Sequence, residues 1–378
     1  MPVTLSTAQT PAELSQFVRF AWRVYRGDPN WVPPLISDRI TKLDPTRNPF
    51  WRTAERQLWI AWRDGQPAGT IAAILDHHRQ RSLGKPVGVY GFFECLDDPE
   101  VAAALFDAAA GWLKENGMCS MTGPYNPDTN DEPGILVEGF ETRPALLEAH
   151  HPRYYQALFE KNRFVKNLDT IARLYILTPQ MVTFEQAMPE KLLKVARIVE
   201  KRTDLRLRQV KMKDWENEVR LACQISNAAL APLPGNVPMQ ESEFAEFANS
   251  FKPLIDPRLA LIAEVGGKPV GYALALPDYN EVLQRLNGRL GPLGLLKFLW
   301  YRRRIRRVSF KILMILPEYQ KRGFEAALVT GISRSIWDAG FPEVDASLTG
   351  EENMSSWLYQ EHIGLKVYRC YRIYDREL

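Results

Sequence analysis

The sequence predicts an α/β protein, an α+β sandwich made of two tandem domains of similar design. Its 378 residues exceed one ordinary compact core and suit two domains of about 180 residues each. Hydrophobic residues make up 46% and charged residues 25%, as in a folded globular chain. Segments typical of strands alternate with segments typical of helices, and an internal repeat relates the two halves.

The clearest part of the repeat is a pair of predicted β-hairpins. Residues 65–76 read GQPAGTIAAILD and residues 267–278 read GKPVGYALALPD, an offset of 202 residues. The Gly and Pro positions coincide, and each segment follows an apolar run. A strand, a tight Gly/Pro turn and a second strand are therefore predicted in both halves.

A second pair of segments supports the repeat. Residues 154–165 (YYQALFEKNRFV) match residues 355–366 (SSWLYQEHIGLK) at an offset of 201. Each reads as a short amphipathic helix followed by an extended aromatic stretch, at 168–177 and 367–375. Two pairings at nearly one offset predict halves with a common architecture.

The repeat divides the chain into three parts. We expect an N-terminal domain at 1–177, a connector at 178–205 that contains a helix, and a C-terminal domain at 206–378. A long polar loop is expected at 122–140, and an extra segment at 279–306. The second half is predicted to contain helices at 213–230, 240–251, 325–340 and 353–362, a hairpin at 258–278, and strands at 307–316, 343–348 and 366–375.

Composition and targeting patterns indicate which cellular compartment and which binding partners to expect. Four scattered cysteines without a CxxC pair favour a reducing compartment and no zinc site. The N-terminus lacks a secretory pattern, and the most apolar stretch, Leu290–Tyr301, is too short to span a bilayer, so we expect a cytoplasmic protein. A net charge of +3 argues against nucleic acid as a partner. The pairs His77-His78 and His150-His151, taken as adjacent strand residues, would face opposite ways, which argues against metal.

One motif carries cofactor chemistry. The segment Ile315–Leu328 ends a strand and opens a helix around Gly323, where unpaired amides and the helix dipole favour a phosphate. Lys321 and Arg322 add positive charge beside that turn. The candidate cofactor-binding residues are Leu313, Met314, Ile315, Gln320, Lys321, Arg322, Gly323, Phe324, Glu325 and Ala326.

The motif resembles the acyl-CoA signature of the GNAT (N-acetyltransferase) superfamily, in which V-x-P is followed by Q/R-x-x-G-x-G/A. Glu325 departs from it by replacing the second Gly or Ala. Residues 351–366 are similar to the closing GNAT segment N-x-x-A-x-x-L-Y-x-x-x-G-F, with Glu352 in place of its Asn and Asn353 one residue late. The resemblance implies tandem GNAT-like domains, each with a mixed, mostly antiparallel sheet flanked by helices.

The same resemblance implies roles in catalysis. Acetyl-CoA or another acyl-CoA would be the cosubstrate, without a metal, and backbone amides near Leu313–Ile315 would hold the oxyanion. Tyr359 would protonate the departing thiolate, with Glu352 and Asn353 beside it as candidate catalytic residues. A base must also deprotonate the attacking ammonium, and Asp345, Glu351 and Glu352 remain open as candidates.

The first half lacks the glycine turn. Its equivalent strand, 87–95, is followed by Asp97, Asp98 and Glu100, which suit a helix start but would repel phosphate, so no CoA binding is expected there. Its polar loop is the candidate acceptor site. The residues proposed to bind the acceptor are Asn126, Asp128, Asn130 and Asp131.

The sequence thus predicts an acyl-CoA-dependent N-acyltransferase, with acetyl as the expected group and an unidentified small-molecule or peptide amine as acceptor. One alternative is an aminoacyl-tRNA-dependent transferase of the Fem type, in which the arginine cluster at 302–307 would meet tRNA. The other is a non-catalytic ligand-binding or scaffold protein on a GNAT fold. The same arginines also suit the CoA 3′-phosphate, an acidic carrier protein, an anionic membrane surface or solvent. The sequence leaves the acyl chain, the acceptor and the oligomeric state open.

Overall fold

A computed structural model describes residues 2–128, 131–233, 236–353, 360–361 and 364–378. Across these residues the strands join into one 13-stranded sheet with helices on both faces. The strands are β1 (Thr4–Thr7), β2 (Ala54–Arg63), β3 (Gln66–Asp76), β4 (Val87–Cys95), β5 (Ser120–Gly123), β6 (Ile135–Glu138), β7 (Val165–Ile176), β8 (Leu205–Gln209), β9 (Ala260–Val265), β10 (Lys268–Pro277), β11 (Arg307–Ile315), β12 (Glu343–Gly350) and β13 (Lys366–Glu377).

In the second half, helices form near 213–230, 240–251 and 325–340 as predicted, and two further helices form in the extra segment 279–306. The helices are α1 (Pro11–Arg19), α2 (Ala21–Val24), α3 (Ile36–Leu43), α4 (His77–Leu83), α5 (Pro99–Glu115), α6 (Tyr155–Lys161), α7 (Phe184–Ala187), α8 (Glu190–Arg202), α9 (Trp215–Leu230), α10 (Glu241–Phe251), α11 (Asn280–Leu286), α12 (Pro292–Tyr301) and α13 (Phe324–Asp338). The helix predicted at 353–362 lies mostly outside the described residues. Among the helices of the described residues, none combines the length and apolarity that crossing a bilayer requires.

Both predicted hairpins form, and they share a register irregularity. Ala61 pairs with Gly69 in β2–β3, Ala263 pairs with Gly271 in β9–β10, and each pairing shifts next to that glycine. A Cβ on Gly69 would lie 2.6 Å from a Leu105 methyl of α5. The glycine therefore lets α5 pack closely on the sheet, and the repeat seen in sequence is a repeat in structure.

The two halves exchange their last strands. The sheet order is β1-β2-β3-β4-β5-β13-β7-β12-β11-β10-β9-β8, with β6 paired to β13. Strand β13, from the end of the chain, therefore lies beside β5 of the first half. Strand β7, from the first half, lies beside β12 of the second. In chain order the expected boundary falls near Leu177, but hydrogen bonding ties the two halves into one sheet.

The segment expected as a connector covers the start of α13. Leu192 on α8 packs with Ala326 and Val329 on α13, and Val195 and Val199 lie behind Gly323. The predicted helix in this segment is confirmed as α8. Its packing places α8 directly behind the turn that carries the signature.

Two local expectations were wrong. His77 and His78 open helix α4 instead of lying in a strand, because the Asp76 carboxylate caps that helix by accepting a hydrogen bond from the Arg79 amide at 2.9 Å. The polar loop at 122–140 is interrupted by a strand, β6. Ile135 in that strand is fully buried, so the apolar run pairs with β13 rather than remaining in the loop.

The exchanged strand should stabilise the core of the first half. Ile373 on β13 is 4% exposed and packs with Leu58 and Ile74. Ile373→Ala is expected to lower the free energy of unfolding by about 2–5 kcal/mol in urea denaturation, because it leaves a cavity. Val367→Ala on the same strand is the control, since Val367 is 48% exposed and should cost ~0.5 kcal/mol. Equal losses would contradict the packing described.

Candidate active site

Strands β11 and β12 separate part-way along their length. They pair in parallel from Arg307 opposite Glu343 to Phe310 opposite Ala346, and then diverge. On its other side β11 carries a bulge against β10 at Lys311, since Leu274 faces Ile312 while Ala275 faces Phe310. Beyond the bulge, β11 has a strand neighbour on one side only, so peptide groups of the following residues face the gap.

An apolar cavity of about 360 Å³ fills this gap, and we call it the strand-gap cavity. Six of its lining residues are Phe310, Met314, Val329, Ile336, Trp337 and Leu348. Leu313 also lines it, whereas Ile315 is buried in the adjoining core. Of the three residues predicted to flank the oxyanion, the structure brings Leu313 and Met314 to the cavity and turns Ile315 away from it.

The predicted cofactor turn adopts a compact conformation before α13. Lys321 has φ +58° and Gly323 has φ +88°, so the backbone twice enters the left-handed region. The Gln320 side chain donates to the Ile315 carbonyl at 2.9 Å, and Arg322 Nη1 donates to the Glu318 carbonyl at 3.1 Å. These bonds fix the turn at the end of β11.

Glu325 folds back over the turn. Its Oε1 accepts a hydrogen bond from the Lys321 amide at 2.7 Å, so one backbone donor is already occupied. The amides of residues 322–325 have no acceptor among the described residues. Val329 lies five residues after Phe324, the first residue of α13, which is about 7.5 Å along the helix axis at 1.5 Å per residue. Its side chain lines the strand-gap cavity. The turn and the cavity therefore adjoin along one helix.

Some of the remaining predicted site residues are buried in the protein core, and others line the strand-gap cavity. Phe324 and Ala326 are buried and pack inward. Glu352 and Asn353 line the strand-gap cavity. Tyr359, the predicted proton donor, lies outside the described residues and stays a prediction.

A second cavity, of about 770 Å³, lies between the two halves, and we call it the interdomain cavity. Asp128 and Asp131 of the predicted acceptor loop line it. Asn126 instead holds the backbone: its Oδ1 accepts from the Phe92 amide at 2.6 Å, and its Nδ2 donates to Glu132 at 3.0 Å. Asn130 lies outside the described residues.

A buried charged cluster lies where the two cavities approach each other. Lys311 Nζ is 3.6 Å from Glu148 Oε1 and 3.7 Å from Asp345 Oδ2, and it donates to Ser347 Oγ at 2.7 Å. Lys311 and Ser347 line the strand-gap cavity, whereas Glu148 lines the interdomain cavity. Glu148 comes from the first half and Lys311 from the second, so the cluster requires both.

The two carboxylates of the cluster differ in environment. Asp345 accepts hydrogen bonds from Ser309, Ser347 and Tyr368. Burial, together with the charge of Glu148, raises the pKa of Asp345. Burial also acts to raise the pKa of Glu148, but Lys311 and Arg369 outweigh it and hold that pKa below its ordinary value.

Glu148 therefore stays ionised at neutral pH, and its two carboxylate oxygens differ in their contacts. Its Oε2 accepts from the Ala145 amide and the Tyr371 hydroxyl, each at 3.1 Å. Its Oε1 makes no hydrogen bond within the described residues. Lys311 Nζ lies 3.6 Å from this buried oxygen, so Glu148 is an ion-paired carboxylate at the wall of the interdomain cavity.

Sequence reasoning named Asp345 among the open base candidates but missed Glu148 and Lys311. Lys311 is the one charge inside the apolar strand 308–316, and Glu148 is the one charge inside the short apolar run 145–149. An isolated charge in an apolar segment is a usable signal for a buried functional group. No local pattern could pair the two, because 163 residues separate them.

The equivalent gap in the first half is nearly closed. Strands β4 and β5 pair from Val87 to Val89 and then diverge, but the cavity there is only about 70 Å³. Tyr25 and Trp31 line it, and their stacked rings occupy its side. Asp98 caps α5 by accepting from the Glu100 and Val101 amides, as its position before a helix suggested.

The solved structures confirm the fold. A tandem GNAT protein from the clavulanic acid biosynthesis pathway aligns over 99% of this chain and 98% of its own, at a TM-score of 0.56 and 10% identity. A GCN5-related N-acetyltransferase from Sphaerobacter thermophilus aligns over 99% and 95%, at 0.54 and 12%. No family model matches the chain. The predicted α/β architecture of two tandem GNAT-like units is thus confirmed.

Sequence relatives place this fold in a family. Bacterial ceramide synthase of Caulobacter vibrioides is 32% identical over 98% of this chain and 96% of its own length. Protein YghO of Escherichia coli is 30% identical over 97% and 93%. The protein is an acyltransferase of the tandem GNAT class. It belongs to the family that contains bacterial ceramide synthase and protein YghO.

The closed gap of the first half should make stability depend on pH. Burial raises the pKa of Glu94 to about 7, although the Tyr155 hydroxyl donates to this carboxyl at 2.8 Å. The folded state thus favours the neutral acid. Its contribution is complete below the ordinary pKa of about 4.5 and is lost as the pH rises through 7.

Glu94→Gln should remove this dependence. Between pH 4 and pH 8 the wild type should lose stability relative to Glu94→Gln, by on the order of 3 kcal/mol at most. Urea denaturation of both proteins across this range measures the difference. Parallel stability curves would show that Glu94 does not change its charge on folding.

Proposed function

We propose that the protein transfers an acyl group from acyl-CoA to the amine of a long-chain acceptor, forming an amide of the ceramide type. The single observation that carries this proposal is the Glu148–Lys311–Asp345 cluster, which adjoins two largely apolar cavities. One cavity suits an acyl chain and the other suits an acceptor. The cluster supplies the charges that amide formation requires.

The acyl side of the reaction fits the strand-gap cavity. Its lining of Phe310, Met314, Trp337 and similar side chains offers far more apolar surface than an acetyl group would contact. We therefore propose a medium- or long-chain acyl group instead of the acetyl group expected from the signature. The thioester carbonyl would lie near Lys311, at the inner end of the gap.

The CoA end fits the turn before α13. The amides of residues 322–325, the dipole of α13 and the exposed side chains of Lys321 and Arg322 suit a pyrophosphate. Glu325 reduces this fit, because its carboxylate occupies the Lys321 amide. We propose that Glu325 moves off the turn when the phosphates bind.

The acceptor side fits the interdomain cavity. Its walls include Leu146, Phe247 and Phe298, and Glu148 provides a carboxylate for an ammonium group. The relative from Caulobacter vibrioides is named for the synthesis of ceramide, which is an N-acylated long-chain amino alcohol. A sphingoid base has both an apolar chain and an amine, so we propose this class of acceptor. Asp128 and Asp131 would bind its hydroxyl groups.

The charged cluster then accepts the proton of the acceptor ammonium and stabilises the negative charge of the oxyanion. Glu148 Oε1 accepts the proton that converts the acceptor ammonium to a nucleophilic amine. Lys311 Nζ and backbone amides of β11 stabilise the oxyanion that develops on the thioester carbonyl. Acyl-CoA supplies the activated acyl group, and its thiolate leaves as the amide forms. Tyr359 remains the predicted donor of the proton that the thiolate takes up.

Removing the proposed base should slow the chemical step. Glu148→Gln keeps the shape of the side chain but cannot accept the proton, so kcat should fall by roughly 10²–10⁴-fold. The assay follows thiol release from a long-chain acyl-CoA with a sphingoid base. The variant should also lose the acidic limb of the pH–rate profile.

The matched control is Glu138→Gln, an exposed glutamate on β6 whose kcat should stay within twofold of the wild type. A Glu148→Gln enzyme that unfolds like the wild type and retains full kcat would refute the role of Glu148. A fall in kcat without a change in the pH profile would reassign Glu148 to positioning.

The cofactor turn can be tested by placing a carboxylate on it. Gly323→Asp should abolish measurable acyl-CoA binding in calorimetry, because a side chain at φ +88° is strained and its Cβ would lie 2.9 Å from the Val195 and Val199 methyls, which displaces the turn proposed to hold the phosphates. Gly340→Asp is the control, since Gly340 follows the other end of α13, has a similar φ of +79°, and has no atom within 4 Å of an added Cβ. Unchanged affinity in folded Gly323→Asp would count against this placement of CoA.

A substitution at Glu325 should change the affinity for acyl-CoA in the opposite direction. Glu325→Ala frees the Lys321 amide and removes a negative charge, so the affinity for acyl-CoA should rise by about 3- to 10-fold. Calorimetry with the same ligand measures this gain. A lower affinity would mean that Glu325 supports the bound state instead of competing with it.

A further inference from the structure

Helix α12 exposes an unusual amount of apolar surface. Leu293, Leu296 and Trp300 are 76%, 64% and 61% exposed. Their spacing of three and four residues places them on one face of the helix. Such a concentration of large apolar side chains in water is costly and marks an interaction surface.

The opposite face of α12 is held by the protein. Phe298 stacks on Tyr279 with ring centroids 5.6 Å apart. Leu295, Phe298 and Leu299 line the interdomain cavity. The helix therefore forms part of the wall of the proposed acceptor cavity, and its other face points away from it.

Positive charge surrounds this apolar face. Residues 285–306 contain seven cationic side chains and no acidic one. These cations are Arg285, Arg289, Lys297, Arg302, Arg303, Arg304 and Arg306, and all are exposed. None of them forms an ion pair with a described residue, although Arg285 and Arg304 lie over the rings of Tyr301 and Trp300. The surface thus presents uncompensated charge beside exposed leucines and a tryptophan.

We propose that α12 and the arginines that follow it dock on an anionic phospholipid bilayer. Leu293, Leu296 and Trp300 enter the interface, and the cations contact lipid phosphates. The cavity wall formed by the inner face of α12 then lies at the bilayer surface. That the acceptor enters the cavity from the bilayer rests on the proposed function, whereas the docking surface stands on its own exposure and charge.

The combination of apolar side chains and charge favours a bilayer over other partners. An RNA backbone would contact the arginines but leave Leu293 and Leu296 in water, since nucleic acid offers phosphates and not an apolar layer. A bilayer interface satisfies both parts at once. The helix has ten residues, about 15 Å, so it lies on the bilayer and does not cross it.

Flotation with lipid vesicles tests this surface on the full-length protein. Vesicles of phosphatidylcholine alone are compared with vesicles that contain about 30% phosphatidylglycerol. The wild type should float with the anionic vesicles and dissociate as salt rises. Two triple variants, Leu293→Ser/Leu296→Ser/Trp300→Ser and Arg303→Gln/Arg304→Gln/Arg306→Gln, change exposed residues that do not line the interdomain cavity, and each should reduce the partition coefficient on the order of tenfold or more.

A control removes equally exposed apolar side chains elsewhere. Val165, Ile176 and Val182 are 62%, 55% and 72% exposed, and Val165→Ser/Ile176→Ser/Val182→Ser should float like the wild type. Equal flotation of all variants, or no binding of the wild type to anionic vesicles, overturns the proposal. Binding of a short RNA duplex without binding to vesicles overturns it in favour of the nucleic-acid alternative.

Activity assays distinguish a failure of the docking proposal from a failure of the proposed function. With the acceptor in detergent micelles, both α12 variants should keep wild-type turnover, because the chemistry does not require the bilayer. With the acceptor in anionic vesicles, their turnover should fall in parallel with flotation. A wild type that floats but acylates no long-chain amine in either form would overturn the proposed function and leave the docking surface supported.

Discussion

The hydrogen bonding of β13 between β5 and β7 is the constraint on which the rest of the structure depends. The last strand of the chain completes the sheet of the first half, while β7 completes that of the second. A strand within a sheet needs partners on both edges for its backbone groups. Here those partners come from the two halves of the chain, so one half cannot move relative to the other without breaking the sheet.

This fixed arrangement brings Glu148 to Lys311. Isolated charges in the interior are expensive, and breaking such a pair costs more than the pair contributes to stability. The cluster of Glu148, Lys311 and Asp345 is therefore poorly explained as a device for stability alone. Its position beside both cavities suits the transfer of an acyl group to an amine, which is the reaction proposed.

The two gaps between diverging strands show how one architecture takes different roles. In the second half the gap holds about 360 Å³ of largely apolar space, whereas Tyr25 and Trp31 help to reduce the equivalent space in the first half to about 70 Å³. The first half instead supplies Glu148 and one wall of the interdomain cavity. Its contribution to the proposed reaction is the acceptor side.

Local features of the sequence determined the hairpins, α8, α13 and the repeat, because periodicity and Gly/Pro positions act over a few residues. They also located the turn at Gly323, because an apolar strand ends and a helix begins there. They could not pair Glu148 with Lys311, exchange β7 and β13, or show that Glu325 folds over the Lys321 amide. Those features depend on contacts between residues far apart in the chain, or on a rotamer set by its surroundings. Only tertiary packing, which decides which strand edges and buried charges meet, could fix them.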